Sequence, residues 1–171
     1  AAVADVDEGI AGVVEHVAHV QHVTAAEDHR GVAGGVGRAE MQQVDLLVVA
    51  AYGQILSAEV LDAAPQGGIN VHASLLPKYR GAAPIAWAIY HGETETGVTI
   101  IRMSTRLDAG DMLAQESTPI GATETAGEVE SRLAPLGAKM ALDVIQRMEM
   151  GPVEGPKQDQ SLVTKAPKLK K

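Results

Sequence analysis

The sequence predicts an α/β fold built on a doubly wound, mostly parallel sheet that is flanked by helices. A short, continuous apolar run at residues 44–51 is typical of a strand that is buried on both faces. Further strand patterns alternate with helix patterns along the chain, as expected where crossover helices connect the strands of one sheet. A long amphipathic pattern near the C-terminal end supplies a helix that can cover one face of that sheet.

Capping and chain-breaking residues predict where the first elements after the apolar run begin and end. Ser57 is suited to cap the N-terminus of a short helix from residue 58 to about residue 62. The glycines at positions 67 and 68 break the chain, and residues 69–72 form the second predicted strand. Because proline is tolerated at the first helical position, Pro84 predicts the start of a helix that runs through Tyr90.

The second half of the chain predicts two strands and one long helix. Residues 96–103 and 111–120 alternate well enough for strands. Thr125 and Glu128 have the spacing of a capping box, which predicts a helix start. The apolar positions of this helix fall on one face, and Pro135 is expected to kink the helix or to split it in two. From residue 151 onward, glycine, proline and charged residues favour a linker.

Composition limits the class of protein. The 171 residues are 46% apolar, which is enough for one domain with its own core. The absence of cysteine excludes disulfides and thiolate chemistry. No apolar run approaches the roughly 18 residues of a membrane span, so we expect no membrane partner. The absence of cysteine fits a cytoplasmic location, and we expect a monomer. The formal net charge of −8 disfavours a protein whose whole surface binds nucleic acid.

The segment 1–43 differs in composition from the rest of the chain. It contains no Leu, Lys, Ser, Pro or aromatic residue, and it holds seven acidic residues against two basic ones. Since ordinary domains use leucine heavily, we interpret it as an atypical segment that is foreign or translated from a wrong frame. The alternative is a genuine strand and helix of biased composition. We therefore divide the chain into this segment, a catalytic core at 44–160, and the start of a linker at 161–171.

Three polar residues are candidates for a catalytic site. Asn70 and His72 are two residues apart in a predicted strand, so their side chains point to the same face. An amide donor beside an imidazole is suited to stabilise an oxyanion and to move a proton. Asp108 follows in a turn between two predicted strands, where a carboxylate can orient the imidazole. Each residue also has a structural interpretation, as a turn former or a buried polar group.

Two motifs carry a resemblance to a known family. Residues 70–77 read NVHASLLP and residues 107–110 read LDAG. Together they resemble the signature of the folate-dependent formyltransferases. Within that family, KYRGAAPI at 78–85, ETGVTI at 95–100 and LVTKAPKL at 162–169 are most similar to the enzymes that act on methionyl initiator tRNA. The resemblance runs from about residue 44 to the end of the chain.

The resemblance implies a doubly wound α/β fold that transfers a formyl group from 10-formyltetrahydrofolate to the α-amine of methionyl initiator tRNA, without a metal. It implies that Asn70 and protonated His72 stabilise the formyl oxygen, and that Asp108 holds His72 and relays the proton of the amine. The positions that match the folate-binding segment are Gln54, Ile55, Leu56 and Asp108. The positions that match the substrate loop are Ser74, Leu75, Leu76, Pro77, Arg80 and Gly81.

Two alternatives stay open at this point. A sugar-nucleotide amine formyltransferase shares the three candidate residues and the folate donor, and differs only in its acceptor. A non-catalytic folate-binding module is the other alternative, if the segment 1–43 abolishes turnover. The family's tRNA-binding C-terminal domain and front insertion are not recognisable in this sequence. We therefore expect this chain alone to bind initiator tRNA weakly.

Overall fold

The protein is represented by a computed structural model that describes residues 2–4, 44–51 and 55–169, the first of these ranges by its backbone only. Within these residues, one sheet has the strand order β1-β2-β3-β4-β5. Its strands are β1 (Ala2–Ala4), β2 (Leu47–Ala50), β3 (Gly68–His72), β4 (Glu95–Arg102) and β5 (Met112–Pro119). The accompanying helices are α1 (Ala58–Asp62), α2 (Pro84–Tyr90) and α3 (Ala126–Met150), and a 3₁₀ turn follows at Gln160–Leu162.

The α/β class with flanking helices is confirmed, and the sheet is mixed. Strands β1, β2 and β3 run parallel, whereas β4 pairs antiparallel with both β3 and β5. The antiparallel pairing of β4 and β5 follows from the short connection between them. Residues 103–111 contain no helix, and a parallel crossover needs about a dozen residues or more.

The alternation of side chains along the strands divides the core between the two faces of the sheet. On one face, Ile69 of β3 packs in the same cluster as Val144 of α3. On the other face, Leu47 of β2 packs with Leu61 of α1. The close approach of α3 to the sheet depends on Gly137, because a Cβ atom at that position would lie 2.7 Å from Cγ1 of Val71. Helices therefore cover both faces, as the prediction required.

Helix α3 begins as predicted but is not split at its proline. The Oγ1 atom of Thr125 accepts a hydrogen bond from the backbone N–H of Glu128, whose carboxylate accepts one from the N–H of Thr125, so the capping box is confirmed. Pro135 lies inside one continuous helix of 25 residues. Both Pro135 and Ser131, whose carbonyl group loses its helical partner at the proline, are exposed. Water can satisfy that carbonyl group, and the helix continues.

The two ends of the chain are described only in part. Strand β1 belongs to the segment 1–43, of which residues 5–43 lie outside the described residues. The interpretation of that segment as atypical therefore stays a prediction. After α3, the chain returns to the body of the fold, where Gln158 is 5% exposed and Ala166 is fully buried. The linker predicted at 161–171 also stays a prediction, and residues 170 and 171 lie outside the described range.

Candidate active site

The candidate site lies at the carboxyl end of β3. Asn70 and His72 are in the strand and point to the face opposite the one that carries Ile69, as the two-residue spacing predicts. Their register partners on β4 are Ile101 and Thr99. Ligands of open α/β sheets bind outside the carboxyl ends of the parallel strands, which is where these two side chains lie.

Asp108 reaches both strand residues from the loop between β4 and β5. Its Oδ1 atom accepts a hydrogen bond from Nδ2 of Asn70 at 3.4 Å, and its Oδ2 atom lies 3.7 Å from Nδ1 of His72. The Oδ2 atom also accepts a hydrogen bond from the backbone N–H of Gly81 at 2.8 Å. One carboxylate thus joins a strand, its own loop and the loop that follows β3. The structure brings the three candidate residues together.

These contacts fix which atoms of Asn70 and His72 remain for a ligand. A carboxylate can only accept hydrogen bonds, so Asp108 holds the NH₂ end of the Asn70 amide toward itself. The second N–H of that amide has no partner within the described part of the chain. The Nε2 atom of His72 lies 2.9 Å from the carbonyl oxygen of Tyr79, which can only accept, so Nε2 carries a hydrogen and donates it in a hydrogen bond. The Nδ1 atom is therefore the ring nitrogen that remains for chemistry.

Thr99 of β4 anchors the loop that follows β3, here called the site loop (residues 73–83). The Oγ1 atom of Thr99 donates to the carbonyl oxygen of Ser74 at 2.7 Å and accepts from the N–H of Leu76 at 3.1 Å. Ser74 is fully buried and Leu76 is 3% exposed. These two residues of the predicted substrate loop are therefore buried, and their hydrogen bonds fix the conformation of the loop.

Tyr79 gives the site loop its turn and supplies the acceptor for His72. It has a φ angle of 63°, which is unusual for a bulky residue. Its hydroxyl group donates to Oε1 of Glu93 at 2.8 Å. Burial, followed by that carboxylate, raises the pKa of Tyr79 to about 12. The hydrogen bonds from Tyr79 and Lys78 hold the pKa of Glu93 below its usual value. The contacts of the Tyr79 side chain keep its carbonyl group in position to accept the hydrogen bond from His72.

A second anchor of the site loop is the segment 158–167, here called the C-terminal strap. The N–H of Arg80 donates to the carbonyl oxygen of Thr164 at 2.9 Å, and the carbonyl oxygen of Arg80 accepts from the N–H of Ala166 at 2.7 Å. The N–H of Tyr79 donates to Oγ1 of Thr164 at 2.8 Å. Gly81 allows this contact, since a Cβ atom there would lie 2.5 Å from the carbonyl oxygen of Ala166. Sequence reasoning missed this role of the strap.

The three candidate residues line an open cleft with a volume of about 870 Å³. Its walls include Ile55 and Leu56 from the predicted folate-binding segment, and Arg80 and Gly81 from the predicted substrate loop. Gln54 lies outside the described residues. The other predicted loop positions do not line this cleft in the described part of the chain, and they are Ser74, Leu75, Leu76 and Pro77. The cleft is large enough for a drug-sized organic ligand.

Two arginines give one wall of the cleft positive charge. Arg80 and Arg106 both line it. Desolvation of Arg80, and then repulsion by Arg106, hold the pKa of Arg80 below its usual value, while Asp108 opposes the shift. The Nε and Nη2 atoms of Arg80 donate to Oε1 of Gln158 at 3.0 and 2.7 Å. Two of the five N–H groups of the Arg80 guanidinium are therefore used inside the protein.

The described residues contain neither a metal-binding cluster nor a membrane-spanning helix. Within them, no group of three His, Asp or Glu side chains is arranged to hold a metal ion. Among the same residues, no helix is long and apolar enough to cross a membrane. The expectation that the chemistry needs no metal stays a prediction.

The sequence is similar to curated bacterial proteins over most of its length. A methionyl-tRNA formyltransferase from Solibacter usitatus is 53% identical over 125 residues, which cover 73% of this chain and 40% of that protein. A methionyl-tRNA formyltransferase from Pelobacter propionicus is 43% identical over 159 residues, which cover 92% of this chain and 50% of that protein. The chain thus spans about two fifths to one half of the length of these relatives.

Solved structures share the fold. A candidate sugar N-formyltransferase from Mycobacterium tuberculosis superposes with a TM-score of 0.76 at 24% identity, covering 97% of this chain and 73% of that one. An N-formyltransferase from Helicobacter canadensis, solved with folinic acid and dTDP-3-aminofucose, has a TM-score of 0.65 at 25% identity, covering 70% of this chain and 44% of that one. The family described as formyl transferase matches residues 11–145. This match extends over most of the chain, and the chain belongs to the formyl transferase family.

Proposed function

We propose that this chain transfers a formyl group from 10-formyltetrahydrofolate to the α-amine of methionyl initiator tRNA, in the cytoplasm, as part of translation initiation. The observation that carries the proposal is the convergence of Asn70, His72 and Asp108 on one cleft. The similarity to methionyl-tRNA formyltransferases supports the choice of acceptor. The folinic acid of the Helicobacter canadensis protein supports a folate-type donor.

The reaction needs stabilisation of charge on one oxygen and one proton transfer. The amine nitrogen attacks the formyl carbon, and an electron pair of the carbonyl bond moves onto the formyl oxygen. The tetrahedral intermediate then breaks the bond between the formyl carbon and N10 of the folate. The proton that the amine loses goes to N10, so the products are the formylated amine and tetrahydrofolate.

The residues of the site match these two needs. The second N–H of Asn70 donates to the oxygen that gains charge, and protonated His72 donates to it from Nδ1. The distance of 3.7 Å from Nδ1 to Asp108 is too long for a direct hydrogen bond, which leaves Nδ1 available to substrate. Preorganised donors of this kind contribute about 3–4 kcal/mol each to transition-state stabilisation. Asp108 holds Asn70 by a hydrogen bond, offers its negative charge to protonated His72, and relays the proton of the amine through water.

The test is formyl transfer from 10-formyltetrahydrofolate to each candidate acceptor. We expect product with methionyl initiator tRNA and none with a dTDP-linked amino sugar. Asn70→Ala and His72→Ala should each lower turnover by about two to three orders of magnitude. Binding of the folate donor should change little in either variant. Gln146→Ala is the control, because this polar side chain is exposed on α3 and does not line the cleft.

Each contrary outcome has a definite meaning. Transfer to the amino sugar alone would replace the proposed acceptor by a sugar nucleotide. Folate binding without transfer to either acceptor would favour a non-catalytic folate-binding module. Near-normal turnover in Asn70→Ala or His72→Ala would refute the oxyanion role given to these residues.

The affinity for tRNA is a separate prediction. The chain carries a net charge of −8, and in the described residues the cations that line the cleft are Arg80, Arg106, Lys165 and Lys168, a small set for binding a polyanion. We therefore expect a dissociation constant of roughly 10⁻⁴–10⁻⁶ M at physiological salt, which weakens further as salt rises. Fluorescence titration with initiator tRNA at two salt concentrations measures it. Sub-micromolar binding that distinguishes initiator from elongator tRNA would contradict this expectation.

A further inference from the structure

We propose that Gln158 is a positioning residue of the candidate active site. It holds the loop between β4 and β5 (residues 103–111, here called the Asp108 loop) in position against the site loop, and it lies outside the cleft. Its effect on turnover rests on the proposed function, whereas its effect on loop structure does not. No pattern in the sequence singled out this residue. It lies in a stretch of glycine, proline and charged residues, yet its side chain is buried.

The carboxamide of Gln158 makes four hydrogen bonds and uses both of its ends. Its Oε1 atom accepts from Nε and Nη2 of Arg80 at 3.0 and 2.7 Å. Its Nε2 atom donates to the carbonyl oxygens of Asp108 and Gly110, each at 2.8 Å. An amide nitrogen has two hydrogens and an amide oxygen has two lone pairs, so the group is saturated. A single side chain therefore joins the site loop to the Asp108 loop.

The two loops that Gln158 joins are the ones that the carboxylate of Asp108 also joins. Asp108 accepts from the N–H of Gly81, which is the residue directly after Arg80. Asp108 has a φ angle of 44°, a conformation that costs free energy unless its surroundings hold it. The hydrogen bond from Gln158 to the Asp108 carbonyl group supplies such a restraint. Loss of that bond should release Asp108 from Gly81 and, through it, from Asn70.

Glutamine is the residue type that this position requires. A carboxylate of the same shape would keep the acceptor for Arg80 but would bring oxygen atoms against two carbonyl oxygens. An apolar side chain of similar length would leave both carbonyl groups without their partner, which is costly in a buried position. Gln158→Glu therefore removes only the donor half of the carboxamide, which is its NH₂ group. Gln158→Met removes both the donor half and the acceptor half, which is its carbonyl oxygen.

The experiment measures amide hydrogen exchange and kinetics in the full chain. In Gln158→Met and Gln158→Glu, exchange at the N–H of Gly81 should become at least about tenfold faster, since a hydrogen bond worth about 1.4 kcal/mol is weakened. Exchange at the core amides of Ile100 and Val129 should change by less than about threefold. The turnover number should fall at least about tenfold, while the dissociation constant of the folate donor stays within about threefold. Gln146→Glu and Gln146→Met are the matched controls, because this glutamine is exposed on α3 and does not line the cleft.

The outcomes separate this inference from the proposed function. Unchanged exchange at Gly81 in both variants would overturn the positioning role, as would an equal increase at Gly81 and at the core amides. Retained protection in Gln158→Glu would overturn the assignment of the effect to the donor half. If the unmodified chain transfers no formyl group, the proposed function fails, and the exchange rates still decide the role of Gln158.

Discussion

The replacement of Asp108 by asparagine tests the reasoning about the site most directly. Asparagine has nearly the same shape as aspartate and tolerates a positive φ angle, so the backbone at 44° is not disturbed. What changes is the set of acceptors. Aspartate offers two oxygens, one for Asn70 and one for the N–H of Gly81. Asparagine offers one oxygen and one NH₂ group.

The expected rearrangement follows from the two distances. The bond to Gly81 is the short one, at 2.8 Å, so the remaining oxygen stays with that N–H. The new NH₂ group then meets the NH₂ group of Asn70, which relieves the conflict by turning its amide over. The carbonyl oxygen of Asn70 now lies where its N–H was. The stability lost is small, about 1 kcal/mol, because a charge-assisted bond becomes a neutral one.

Turnover, in contrast, should fall by about two to three orders of magnitude, because the donor to the formyl oxygen has become an acceptor. Urea unfolding measures the loss of stability, and the formyl-transfer assay measures the fall in turnover. Asp111→Asn is the control in the same loop, where the backbone carbonyl group rather than the carboxylate accepts from Arg102. A variant at Asp108 that keeps turnover within about threefold of the parent would refute the assigned orientation of the Asn70 amide.

Four further substitutions have effects on stability whose direction follows from the structure. Gly81→Ala should lose about 1–3 kcal/mol of stability in urea unfolding, because its φ angle of 129° suits only glycine and a Cβ atom would lie 2.5 Å from a carbonyl oxygen. Gly127→Ala should lose none, since nothing lies within 4 Å of its Cβ position. Arg132 lowers the pKa of Glu124 to about 2, so stability present above pH 4.5 should be lost as the pH falls toward 2, and Arg132→Gln should flatten that loss in a melting profile. The pKa of Tyr79 is raised to about 12, so stability present below pH 10 should be lost between pH 10 and 12; an unchanged profile in Tyr79→Phe would contradict this assignment.

The sequence was informative where the signal is local. The caps at Ser57 and Thr125, and the shared face of Asn70 and His72, depend on spacings of two or three residues, and the structure contains all of them. The antiparallel pairing of β3 with β4 was not predicted, because the connection between them contains α2 and is long enough for either strand direction. Pro135 does not split α3 in two, because Pro135 and Ser131 both lie on the exposed face of that helix.

The contacts that complete the site are long-range, and no local pattern reports them. Asp108 is 38 residues from Asn70, and Gln158 is 50 residues from Asp108. The resemblance to a family supplied Asp108 by its motif. Nothing supplied Gln158, because a glutamine among glycines and prolines is normally an exposed loop residue. The one available signal was compositional, and it predicted a linker, in which a buried glutamine is not expected.

The geometry of the backbone explains why the site has its shape before any ligand binds. In the described residues, Tyr79 and Asp108 are two of the three non-glycine residues with positive φ angles, and both contact the site. Each is held on more than one side. Tyr79 is held by Thr164 and by His72, and Asp108 is held by Gln158 and by Gly81. The conformational cost, about 1–2 kcal/mol for each residue, is offset by these contacts. Because the donors are fixed in advance, they can stabilise developing charge without the reorganisation that water would need.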